Sequence, residues 1–166
     1  RFDPIVFWDG GRRNNLGAFP FLCDFMAGLG VTRCTFSFVT WYNKVKRRDA
    51  CQSLDYYDPP LSQKLDILSE WSAYARPRGI TLESCCHNEL LAAEGVIQGR
   101  CIHSPLLSRL AGEPCSQARD VSQRPDCGCT KSSDIGSYTM PCPHQCLYCY
   151  AKPVTPITRR NHAFPP

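Results

Sequence analysis

Apolar positions along this chain fall into short continuous runs alternating with stretches of helical spacing. Pro4-Ile-Val-Phe-Trp8 is an unbroken apolar run closed by Asp9-Gly10-Gly11, which predicts a strand buried on both faces and ended by a turn. Val31 to Val39, rich in Val, Thr and Phe, predicts a second strand, and Ile80 to Ser84 a third. Between the first two, a helix is expected from about Leu16 to Leu29, capped by Asn14 or Asn15, interrupted at Pro20 and ended by Gly28 and Gly30. Leu61, Leu65, Leu68, Trp71 and Ala75 recur at steps of three and four, the pattern of an amphipathic helix that Pro77 and Gly79 terminate. The intervening segment Thr40 to Pro60 is long, aromatic and basic, and reads as a functional loop at the C-terminal end of a strand. Asn88 is placed to cap a short helix over Leu90 to Glu94, and Ser104 another over Leu106 to Leu110 before Gly112.

Strands alternating with helices predict an α/β fold with a parallel sheet. About three βα units make a partial parallel (β/α) barrel over residues 1–112, with residues 113–166 a cysteine-rich, irregular C-terminal segment packed on the same domain. A strand buried on both faces needs neighbours on each side. Its position at the first residue therefore predicts that preceding strands, an N-terminal half of the barrel, are missing or supplied by another piece.

Composition narrows the function classes. The 166 residues, 43% of them hydrophobic, suffice for one domain with a real core. The net charge of +4 is mild, and Arg12-Arg13, Lys44 to Arg48 and Arg159-Arg160 are scattered, which gives nucleic-acid binding little support. The N-terminus lacks the basic run and apolar core of a signal peptide, and no apolar run approaches the roughly 18 to 20 residues needed to cross a bilayer. Of the 12 cysteines, five lie between Cys127 and Cys149. Thiolates held by metal in a reducing cytoplasm are expected, with secreted disulfides as the alternative.

The densest chemistry is Cys142-Pro-His-Gln-Cys146-Leu-Tyr148-Cys149. Three thiols at this spacing can hold three irons of a [4Fe–4S] cube and leave the fourth open to a chelating small molecule. Structural zinc, recruiting His144 or a distant cysteine, is the alternative; otherwise His144 hydrogen-bonds toward sulfide or solvent and tunes the potential. Cys127 and Cys129, one glycine apart, can meet a single metal from a tight turn. With Cys85 and Cys101 they make four thiols for a second, closed cluster or a zinc ion, unless Cys85 and Cys101 are only buried apolar residues. Cys85, Cys86 and His87 carry no local signature of a thiol protease.

The C-x3-C-x-aromatic-C pattern resembles the cluster loop of the radical S-adenosylmethionine enzymes. Cys127-Gly-Cys129 through Tyr138, followed by Cys142 through Ala151, is similar to the C-terminal signature of a bacterial family called domain of unknown function 1848. Arg1-Phe-Asp3-Pro4, Ser37-Phe-Val, Tyr42 with Lys44-Val-Lys46-Arg47, Cys85 and Gly99-Arg-Cys101-Ile102 sit in that family's order, and so do the four thiols of the second set. The resemblance implies reductive cleavage of S-adenosylmethionine to a 5′-deoxyadenosyl radical that attacks a small-molecule or peptide substrate. It also implies an electron donor such as flavodoxin or ferredoxin. Arg1 and Asp3 would then bind a carboxylate or a cofactor hydroxyl, or else pair with each other. Tyr42, Lys44, Lys46 and Arg47 would hold an anionic substrate or the carboxylate of S-adenosylmethionine, or else the basic residues are only solvated. Glu83 would orient a ribose hydroxyl or simply accompany a basic residue, and Asp134 would form a turn or contact the ligand. A non-catalytic iron–sulfur or zinc module for electron transfer or partner binding is the alternative function.

Overall fold

The computed structural model describes residues 1–133, 135, 136, 144 and 146–149, apart from the side chains of 51 and 52. The chain runs β1 (Phe2–Ile5), β2 (Phe7–Trp8), β3 (Arg13–Asn14), α1 (Ala18–Gly28), β4 (Arg33–Phe38), α2 (Asn43–Gln52), α3 (Leu61–Ala75), β5 (Thr81–Ser84), β6 (Val96–Gln98) and α4 (Ser104–Ala111). Short 3-10 turns follow α3 at Arg76–Arg78 and precede β6 at Asn88–Ala92. The fold is mixed α/β around a four-stranded sheet of order β1-β4-β5-β6 with every pairing parallel. No helix among the described residues is long and apolar enough to cross a membrane.

Parallel neighbours require crossovers, and α1 and α3 supply two of them over the same face of the sheet. Cys34 and Phe36 of β4 and Leu82 of β5 point into that face with Phe2 and Val96, against Phe19, Cys23, Leu68 and Trp71 of the helices. Trp71 is the keystone. Its ring stacks on Phe19 at 3.9 Å and meets Phe2 edge-on at 5.0 Å.

The apolar run at Pro4–Trp8 divides at Val6 instead of forming one strand. Phe2–Ile5 joins the parallel sheet, while Phe7–Trp8 pairs antiparallel with Arg13–Asn14. Asn15 enforces the split, because its Oδ1 accepts from Val6 N at 3.0 Å and its Nδ2 donates to Pro4 O at 2.9 Å. One of the two side chains expected to cap α1 thus satisfies the backbone where the chain changes sheets, and α1 starts at Ala18 without a side-chain cap. Pro20 does not interrupt that helix, since in the first turn its missing N–H has no partner to lose.

The segment Thr40 to Pro60 holds α2 rather than a continuous loop. Only Val45 among its described side chains is fully buried, so no apolar stripe announces it, and Lys, Arg, Ala and Gln carry the helix by intrinsic preference. The three-residue strand β6, bounded by Gly95 and Gly99, is too short to show a period. Gly99 is required there: a Cβ on it would stand 2.9 Å from Ser84 O. Ser104 begins α4 but bonds Thr130 Oγ1 at 2.6 Å, tying the helix to the segment that follows it.

Trp71→Ala should lower stability by about 3–5 kcal/mol in urea unfolding, the cost of an aromatic cavity in a packed core. Leu61→Ala, at a side chain 45% exposed, should change it by less than about 1 kcal/mol.

Candidate functional site

The parallel strands end together, where Val39 N bonds Ile5 O at 3.1 Å, Cys85 N bonds Phe36 O at 2.9 Å and Gly99 N bonds Ser84 O at 2.8 Å. Pleating sends Asp3 of β1 and Ser37 of β4 to the face away from α1 and α3. Beside them lies a cavity of about 270 Å³, near the lower end of small-molecule sites. Its wall is built from Arg1, Asp3, Ser37, Thr40, Tyr42 and Arg124. Cys146, Tyr148 and Cys149 close it on the side of the C-terminal segment.

Charge on the wall is partly neutralised. Arg1 pairs with Asp3, Nε to Oδ2 at 2.7 Å, and Ser37 Oγ donates to the other carboxylate oxygen. Of the two roles expected for Arg1 and Asp3, the structure therefore shows the mutual pair, set into the cavity. Burial opposes Arg1's charge, but its bonds to Asp3, Cys101 and Cys85 outweigh that and hold the guanidinium protonated. Arg124 Nη1 donates to Thr40 Oγ1 at 2.9 Å.

The cysteine loop is anchored from α2. Arg48 Nη1 donates to the carbonyl oxygens of Cys146, at 3.2 Å, and Cys149. Cys149 N closes the turn on Cys146 O at 3.0 Å. Burial, with the neighbouring Cys146 thiol next, pushes the Tyr148 phenol upward, so it stays neutral at the cavity edge. Cys142, Asp134 and Tyr138 lie outside the described residues.

A row of thiols runs beside the cavity. Arg1 Nη1 donates to the Cys101 sulfur, the free Cys101 thiol lies within hydrogen-bonding reach of Cys85, and Cys85 and Cys86 stand 3.8 Å apart. Cys86 in turn meets Cys127, which meets Cys129. The Cys101 hydrogen bond holds the Cys85 thiol below its ordinary range, Arg1 assists, and the same bond raises Cys101. Burial raises Cys86 and Cys127, as it raises Cys23 and Cys34 in the core. Cys85, Cys101, Cys127 and Cys129 are thus joined into one row, with Cys86 as the link that sequence reading set aside. Among the described residues, no three His, Cys, Asp or Glu side chains converge as a ready metal site.

Several expected ligand contacts lie elsewhere. Lys44, Lys46 and Arg47 are exposed on α2 and do not line the cavity, whereas Tyr42 does. Glu83 is 2% exposed and pairs with Arg33 beneath the strand ends, the accompaniment to a basic residue, and does not line this cavity. It borders a second, more open cavity with Arg33, Arg100 and His103. His144 is exposed. Thr40, Arg48 and Arg124 were not singled out from sequence. Arg48 was visible only as one charge in a basic cluster, and Arg124, in a polar, proline-containing stretch, carried no local signal.

A family model described as Domain of unknown function (DUF1848) matches residues 1–151. No curated protein and no solved structure matches the chain.

Arg48→Ala should free the loop without touching the core. Mass spectrometry after brief iodoacetamide treatment of the metal-free protein should show Cys146 and Cys149 alkylated severalfold faster, with Cys23 and Cys34 unchanged.

Proposed function

Because the chain belongs to the domain of unknown function 1848 family, whose description assigns no reaction, we propose from the site itself that the protein is a radical S-adenosylmethionine-type [4Fe–4S] enzyme. Its substrate would be a small molecule or peptide, and its electron donor a flavodoxin or ferredoxin. The observation that carries this reading is the presence of Cys146 and Cys149 on the wall of a cavity at the strand ends, beside Arg1, Asp3 and Tyr42. Parallel sheets place ligands at that end. The sequential strand order β1-β4-β5-β6 supports the partial barrel as the scaffold.

The donor chemistry suits the group. Both thiols are reduced and half-buried, they issue from one tight turn, and guanidinium groups nearby offset the negative charge of a thiolate-bound cluster. Cys142, Cys146 and Cys149 would hold it; when bound, it supplies the single electron that cleaves the sulfonium of S-adenosylmethionine. The protein's residues do the positioning. Arg48 fixes the loop by its carbonyls, and Ser37 orients the Asp3 carboxylate on the cavity wall. Tyr148 closes one side with a neutral ring that limits water.

The row from Cys101 to Cys129 favours a second metal, a closed cluster or zinc, on Cys85, Cys101, Cys127 and Cys129. It equally favours a module that binds metal for electron transfer or a partner without catalysis. Closing the row on one ion requires its sulfurs to move together.

Anaerobically reconstituted protein should show a reduced-cluster paramagnetic spectrum that changes on adding S-adenosylmethionine, and should form 5′-deoxyadenosine with dithionite. Cys149→Ser should abolish both. An unchanged spectrum and no product in the wild type would leave the non-catalytic module. For the second metal, Cys127→Ser should lower iron and sulfide, or zinc, per chain while the spectral response to S-adenosylmethionine persists; unchanged metal content would remove it.

A further inference from the structure

Arg124 brings into the cavity a positive charge that no described carboxylate neutralises. It is half-buried and lines the wall, and its guanidinium donates to the neutral Thr40 hydroxyl. The groups it acts on electrostatically are the thiols of Cys86, Cys85 and Cys127 and the phenol of Tyr42. Arg1, the other guanidinium of that wall, is matched by Asp3. Among the described residues, none of the ion pairs includes Arg124.

A guanidinium drawn partly out of water and met by one hydroxyl is under-compensated, and an anion entering the cavity relieves the deficit. Its planar fork matches the two oxygens of a carboxylate better than a point charge does. The support is fixed, because Cys127 N closes a turn on Arg124 O at 2.9 Å and Arg119 donates to the carbonyl of Pro125.

We infer that Arg124 anchors the carboxylate of the molecule that fills this cavity. On the reading above, that is the methionyl carboxylate of S-adenosylmethionine; the inference takes the ligand's name from that reading, and its charge from the wall. The lysines expected from sequence to do this work stand outside the cavity, and Arg124 takes their place.

The test compares dissociation constants of S-adenosylmethionine and its decarboxylated analogue on reconstituted wild type, Arg124→Gln and Arg124→Lys. In Arg124→Gln the preference for the carboxylated ligand should fall on the order of ten- to a hundredfold, the range of a lost charge-assisted bond. The analogue should bind nearly as before, and Arg124→Lys should recover part of the preference. An undiminished preference, or equal weakening of both ligands, overturns the inference while leaving the enzyme reading intact. Should wild type bind no S-adenosylmethionine, that reading fails, and equilibrium dialysis with L-methionine and 3-(methylthio)propylamine decides the inference alone. Binding of L-methionine that Arg124→Gln abolishes sustains it, and no Arg124-dependent binding ends it.

Discussion

The alternation of side chains along a pleated strand governs everything else in this molecule. Because successive residues of β4 and β5 face opposite ways, Cys34, Phe36 and Leu82 are committed to the helices while Thr35, Ser37 and Glu83 are turned the other way. A sheet with both faces apolar would have had to be covered twice. This one is covered on one side by α1 and α3 and keeps a polar face on which ions can be paired and a ligand admitted. The Arg33–Glu83 pair and the Arg1–Asp3–Ser37 set are two outcomes of that single geometric fact.

Charge on the polar face is graded. Beneath the strand ends, Glu83 is buried and matched by Arg33, an arrangement that fixes the sheet. At the ends themselves, Arg1 is shared between a carboxylate and two thiols, and among the described residues Arg124 meets a hydroxyl, thiols and a phenol. The guanidinium without a described carboxylate partner therefore stands on the same cavity wall that Cys146 and Cys149 close.

The elements with strong periodicity were legible in the sequence: α3 runs over Leu61–Ala75 as its three-four spacing required, and β4 and β5 fall inside the expected runs. What escaped was decided by partners distant in the chain. Asn15 reads as a cap until Pro4 and Val6 are seen to claim its amide, and α2 hides because one valine is its described buried contact. In the site, Arg1, Asp3, Tyr42, Cys146 and Cys149 were legible and share one cavity. Arg124 was not, since a lone arginine among polar residues acquires meaning only from what folds against it.

The grip of Arg48 on two backbone carbonyls makes α2 a lever. Its fulcrum is Val45, wedged against Val6 and Val39, and its far arm bears on the turn that aims Cys146 and Cys149. A change of one methyl group at Val45 would swing those sulfurs while leaving the Arg1–Asp3 pair and Ser37 on the opposite wall in place. Evolutionary tuning of this pocket thus extends to a residue that no ligand will ever meet.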